Sequence, residues 1–242
     1  MSAPLAIVRP FPLDGGRALV QVVMLGPGLC AGDHCTLDVT VETGARAIVT
    51  MQTASRILGM EDGAHATQSV NLTVHPGGQL EYYPGLTIPF PDSSIVQRVH
   101  VAAATGARVG VLESWSMGRS GRGEYLRFRR LSSRTTAAID GHPVYGDALE
   151  LEPRRTNVAA TGILENYRYV ASGFWLGASL DPAGVNCADD LLVAFGQMTV
   201  DQVYLRALAH DGFTMCNLLQ KAVERVNTAW GHQAIPLQRF SS

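Results

Sequence analysis

Three glutamates stand alone in apolar, strand-like surroundings: Glu81 in Leu80-Glu81-Tyr82-Tyr83, Glu113 in Val111-Leu112-Glu113-Ser114-Trp115, and Glu124 after a Gly-Arg-Gly run. A carboxylate on the inner face of a strand is costly unless it is paired, hydrated or protonated. One reading is an ion pair with a nearby arginine, such as Arg119 or Arg122, or plain solvent exposure. The other is a wet internal passage whose weak oxygen ligands let a divalent ion move. A pair such as Glu81 and Glu113 would also suit acid-assisted hydrolysis.

The obvious metal cluster is Cys30, Asp33, His34 and Cys35. Thiolate and imidazole ligands suit nickel and zinc. Successive strand residues point to opposite faces, however, so His34 and Cys35 do not converge easily. Cys187 and Cys216 are isolated, and four cysteines in 242 residues are too scattered for a disulfide framework. The remaining histidines show no pair at helical metal spacing. His75 and His142 lie in turns, where solvation is expected. Gly26-Pro27-Gly28 with Gly32 lacks the Gly-Lys-Ser/Thr ending of a phosphate loop, and no nucleophile elbow or dinucleotide fingerprint is present. The arginines between Arg119 and Arg134 form a basic stretch around Glu124, either a solvated, ion-paired face or a surface for an acidic partner.

The elements that position these groups are mainly β. Val39-Thr40-Val41 before Gly44, Leu72-Thr73-Val74 before Gly77, and Val99-His100-Val101 before Gly106 recur at roughly thirty residues, the spacing of stacked supersecondary units. Alternation marks half-buried strands, and Thr43-Gly44, Pro76-Gly77-Gly78 and Thr105-Gly106 supply turns. A single hairpin cannot bury its own face. Stacked hairpins therefore predict a β-helix-like or layered β body. Met215, Leu218, Leu219, Ala222, Val226 and Trp230 predict a helix over 214–230 that packs on the strands and stops at Gly231. Between 151 and 200, glycines, Pro182 and Asp189-Asp190 predict loops and at least one short helix. With 46% apolar residues, one domain spanning 1–242 can bury its core.

Longer motifs carry a family resemblance. The run from Leu25-Gly26-Pro27-Gly28 to Gly32-Asp33 leads to a strand, a Thr43-Gly44-Ala45 turn, and a return ending Thr50-Met51-Gln52-Thr53-Ala54-Ser55-Arg56. Leu80-Glu81-Tyr82-Tyr83-Pro84 with Thr87-Ile88-Pro89-Phe90, and Leu112-Glu113 with Met117-Gly118-Arg119 and Gly123-Glu124, follow in order, and Pro4-Leu5 precedes them all. Asp140-Gly141-His142-Pro143, then Gly231-His232-Gln233-Ala234-Ile235-Pro236 with Arg239, complete the series. This series resembles the urease accessory protein D family, UreD, called UreH in some bacteria. The resemblance implies a β-helical stack with a few helices and a non-enzymatic urease-maturation chaperone. Such a chaperone would bridge apo-urease with UreF and, through UreF, the GTPase UreG. It further implies no tightly bound cofactor but transient nickel, for which Asp33, Glu113 and Asp147 have the best motif context. Relative to that family this chain starts one or two strands late, so an uncovered sheet edge and partner-dependent solubility are expected. A β-solenoid binding or structural protein unrelated to urease is the alternative.

A net charge of −2 supplies no basic field for nucleic acid. Lys221 is the sole lysine. The absence of a signal-like start, and of any apolar run near the roughly 20 residues of a membrane span, predicts a cytoplasmic protein.

Overall fold

The Gly turns that punctuate the sequence make a two-sheet coil. The computed structural model describes residues 5–180 and 190–237, so Pro4, Pro182, Cys187, Asp189 and Arg239 lie outside the described residues. Its strands are β1 (Leu5–Ile7), β2 (Phe11–Pro12), β3 (Ala18–Met24), β4 (His34–Val41), β5 (Arg46–Met51), β6 (Ser55–Ile57), β7 (Ala66–Val74) and β8 (Gln79–Pro89). They continue as β9 (Ser94–Ala103), β10 (Arg108–Ser116), β11 (Arg130–Ile139), β12 (His142–Leu151), β13 (Tyr169–Leu176), β14 (Leu191–Thr199) and β15 (Gln202–Ala209), followed by helix α1 (Gly212–Ala229).

The larger sheet runs β1-β3-β5-β8-β10-β13-β15-β14, with β2 and β6 attached, and the smaller runs β12-β11-β9-β7-β4. The two strands of each predicted unit, β4 and β5 for example, lie in different sheets. Each pairs in parallel with its counterpart in the next unit: Val41 meets Val74 in the smaller sheet, and Arg46 meets Gln79 in the larger. The body is thus β-helix-like, each coil giving one strand to each layer. Its corners turn at Gly44, Gly77 and Gly106, where φ is 72°, 68° and 78°. That left-handed region is open to glycine at no steric cost.

The layers enclose an apolar core that includes Leu37, Val70, Val99, Tyr82, Val111 and Phe174. On the outer side of the larger sheet, Ile48, Tyr83, Leu112, Trp175 and Leu205 receive Met215, Leu219, Val223 and Val226 of α1, and Trp230 at its C-cap. The predicted helix and its buried face are therefore present. Asp211 caps its N-terminus, accepting from Thr214 N at 2.9 Å and Thr214 Oγ1 at 2.6 Å. Asp211→Ala should lower stability by about 1 kcal/mol. Urea denaturation checks this, and an unchanged midpoint would show that sheet packing alone sets the helix start.

The region from 151 to 200 has the expected loops over 152–168 but departs from expectation in the rest. Among the described residues it holds β13, β14 and turns, with no helix. Tyr169–Leu176 reads as a fully buried strand because it is covered on both faces, which erases the alternation that would have marked it. No helix among the described residues is long and apolar enough to cross a membrane.

Candidate functional site

One inward cross-strand row that is apolar in the first coils becomes polar at the far end of the stack. In the smaller sheet the inward row Leu37, Val70, Val99 continues as Thr135 and Asp147. Facing it in the larger sheet, Glu113 aligns with Ser172, and Ser172 with Arg206. The carboxylates meet because two strands of different sheets end up opposite each other.

Glu113 is 3% exposed. Thr135 Oγ1 donates to its Oε2 at 2.6 Å, and Gln97 Nε2 donates to its Oε1. Both partners are neutral, so the ion pair with Arg119 or Arg122 that one of the two readings offered does not form at Glu113. Burial pushes the Glu113 carboxyl up to about 7, Thr135 opposes the shift, and the Asp147 charge adds to it. Asp147 accepts from Ser172 Oγ through one oxygen and from the Arg206 guanidinium through the other. Exposure rises outward, with side-chain values of 19% at Asp147 and 36% at Arg206. Tyr145, Asp147, Ser172, Tyr204 and Arg206 line a recess of about 300 Å³ at the point where β15 and β14 extend past β12. Burial and the Asp147 charge hold the Tyr145 phenol up at about 12. A polar seam thus leads from this recess to a carboxylate in the core. Inward of Glu113 it continues along the row Gln97, Gln68 and Cys35.

Asp33 stands elsewhere. It precedes β4, the edge of the smaller sheet opposite β12, four strand spacings or about 19 Å across. Its Oδ2 accepts from Cys30 N at 2.7 Å, and Asp33 N donates to Cys30 O at 3.1 Å, closing a tight turn. Of the three predicted residues, the fold brings Glu113 and Asp147 together and leaves Asp33 near the far end of the polar row. His34 is exposed and Cys35 buried, as strand parity requires. Burial, with the Asp33 charge, raises the Cys35 thiol. Among the described residues no three His, Cys, Asp or Glu side chains gather as a metal site.

The other acids are structurally employed. Glu124 is held by both arms of Arg119 at 2.5 Å, and that guanidinium lies 4.1 Å over the Phe90 ring. A Cβ on Gly118, at φ 115°, would sit 1.9 Å from Glu124 O, so the Gly-Arg and Gly-Glu motifs shape one tight loop. Glu81 faces α1, on the opposite side of the larger sheet from Glu113. The two cannot act as a hydrolytic pair. Asn227 Nδ2 donates to Glu81 Oε2 at 2.8 Å, and Arg17 Nη1 lies 3.6 Å from its Oε1. Arg17 also donates to Asn227 Oδ1 at 2.9 Å and to Gln233 O at 2.6 Å. Burial raises the Glu81 carboxyl, while Asn227, Tyr83, Arg17 and Gln79 oppose the shift.

Reasoning from sequence missed Arg17, Asn227, Gln97, Ser172 and Arg206. Arg17 beside Asp14, and Asn227 inside an apolar helix stripe, were the available signals.

The UreD urease accessory protein family model matches residues 1–242. Urease accessory protein UreD 1 of Synechococcus sp. (strain JA-3-3Ab) is 41% identical over 98% of this chain and 88% of its own length. UreD of Deinococcus radiodurans is 34% identical over 72% of this chain and 62% of its own length. UreD of Haloarcula marismortui is 30% identical over 87% and 70%, respectively.

Proposed function

Because this chain belongs to the UreD urease accessory protein family, its role lies in urease maturation, and we propose that it acts there as a scaffold rather than a catalyst. In this reading it bridges apo-urease with UreF and, through UreF, UreG. Nickel crosses the body as cargo along the polar seam, with no cofactor held tightly. The work is cytoplasmic, where urease is assembled.

The observation that supports a passage is Glu113, a carboxylate 3% exposed and bonded, among the described residues, by neutral groups only, in line with Asp147 at a surface recess. Carboxylate oxygens hold a first-row divalent ion less firmly than imidazole or thiolate, which suits transit over storage. Asp33, beside the opposite end of the row Cys35, Gln68, Gln97, takes the place of the second mouth.

A partner that binds the folded state adds RT ln(1 + [L]/Kd) to its stability. Co-expression with a UreF protein should therefore raise the soluble yield of this chain and give one joint elution peak. The same yield with and without UreF, and separate peaks, would count against the scaffold.

A further inference from the structure

The solvent face of the smaller sheet carries a pair of arginines that no described residue engages. Arg98 of β9 and Arg134 of β11 are direct cross-strand partners, and both are exposed. Like charges placed directly opposite each other are destabilising. Their row is completed by Ser69 on one side and Ala148 on the other, side chains too short to screen them. The acids of this face are engaged elsewhere: Glu150 Oε1 accepts from Arg130 Nε at 2.6 Å, and Asp38 Oδ1 from Asn71 Nδ2 at 2.7 Å. Among the described residues neither Arg98 nor Arg134 has a carboxylate partner. The two arginines line a shallow recess of about 450 Å³, together with Thr67, Ser132 and the Arg130–Glu150 pair.

We propose that this face docks an acidic protein segment, one whose Asp or Glu carboxylates take the forks of Arg98 and Arg134. Planar guanidinium groups match carboxylates with two parallel hydrogen bonds. Strand N–H groups here are consumed by the sheet ladder, so the face offers no backbone nest of the kind that favours phosphate. Two free cations on a chain of net charge −2 are too few to track a nucleic-acid backbone. The cross-strand neighbours Ser69 and Ala148 are small, which leaves room for an extended chain. This inference does not depend on the urease role.

The test uses the full chain and a fluorescently labelled octaglutamate peptide, read by anisotropy. Binding should weaken with added salt. The double variant R98S/R134S should lose about tenfold in affinity, or 1.4 kcal/mol. R98K/R134K, which keeps the charge but not the fork, should fall between. R122S, at an exposed arginine on the loop after β10, should bind as the parent does. The serine pair should melt no earlier than the parent, since it relieves a like-charge contact. Parent-like binding by R98S/R134S overturns the proposal. So does an equal loss in R122S, or tighter binding of inorganic phosphate or of a DNA octanucleotide than of the peptide. If the serine pair melts early, the lysine pair decides: parent-like affinity there also overturns it.

Discussion

Arg17→Met should destabilise the protein by about 3 to 5 kcal/mol, the usual consequence of removing one member of a buried ion pair. Glu81 is fully buried beneath α1, and Arg17, with its own side chain 1% exposed, is the cation beside it. Methionine fills much of the arginine stem's volume but leaves Glu81 with uncharged partners only. It also deprives Asn227 Oδ1 and Gln233 O of their donor, loosening the junction of β3, β8 and the end of α1. The loss should deepen with pH. The folded-state pKa of Glu81 already lies above its ordinary 4.5, and removing a cation raises it further. A folded state that binds the proton more tightly loses stability as pH climbs from the unfolded value through the folded one. Adding Glu81→Gln should recover a large part of the loss and remove its pH dependence. Urea melts of the two single variants and the double, at pH 5.5 and 8, measure the coupling. A single Arg17→Met variant within about 1 kcal/mol of the parent would mean that Asn227, Tyr83 and Gln79 suffice to hold the charge.

Glu113→Gln should act in the opposite direction on stability and reveal what the carboxylate is for. The folded carboxyl sits at about 7 against an ordinary 4.5, so the folded state binds its proton more tightly. Stability is highest where the group stays protonated and falls as pH rises from about 4.5 to about 7, after which the penalty is complete. At 1.36 kcal/mol per unit, the penalty above pH 7 is on the order of 3 kcal/mol. Glutamine removes the charge and keeps the shape. Gln97 can turn its amide to present oxygen, and Thr135 Oγ1 can accept as well as donate. The variant should therefore be more stable than the parent at pH 8, equal near pH 4, and flatter between. A residue kept at a standing cost in stability points to function. On the proposed passage, Glu113→Gln should still pull down UreF and urease, yet yield urease low in nickel and activity. Loss of the soluble complex would identify a structural carboxylate. Normal nickel loading would remove Glu113 from the passage.

Much of the architecture was legible because its signals are local. Period-two alternation and a glycine at each corner mark the strand–turn–strand unit, and repetition at roughly thirty residues marks the stack. The helix and its buried stripe follow from 3.6-residue spacing, and Asp211 and Gly231 bracket it. The strand β13 was not legible, since burial on both faces removes alternation. Glu113 stood out from sequence because a charge inside an apolar strand is anomalous on its own, but Ser172 and Arg206 carried no comparable local signal.

Family membership, the coil-forming unit and the acids that stand out of place are all readable from the order of residues along the chain. Tertiary structure decided what each acid meets. Glu81 finds Asn227 across 146 positions, and Arg17 finds Asn227 across 210. Glu113 received neutral partners and not the arginine that one reading allowed, Asp147 joined it, and Asp33 was left at the other edge of the smaller sheet. Alternation tells which side of its own strand a residue occupies, and nothing more. Which strand lies above it depends on the register of stacked coils, where a slip of one residue would turn every side chain to the other face. That register is set by many turns and core contacts together, so the partners of a buried charge are a property of the whole stack.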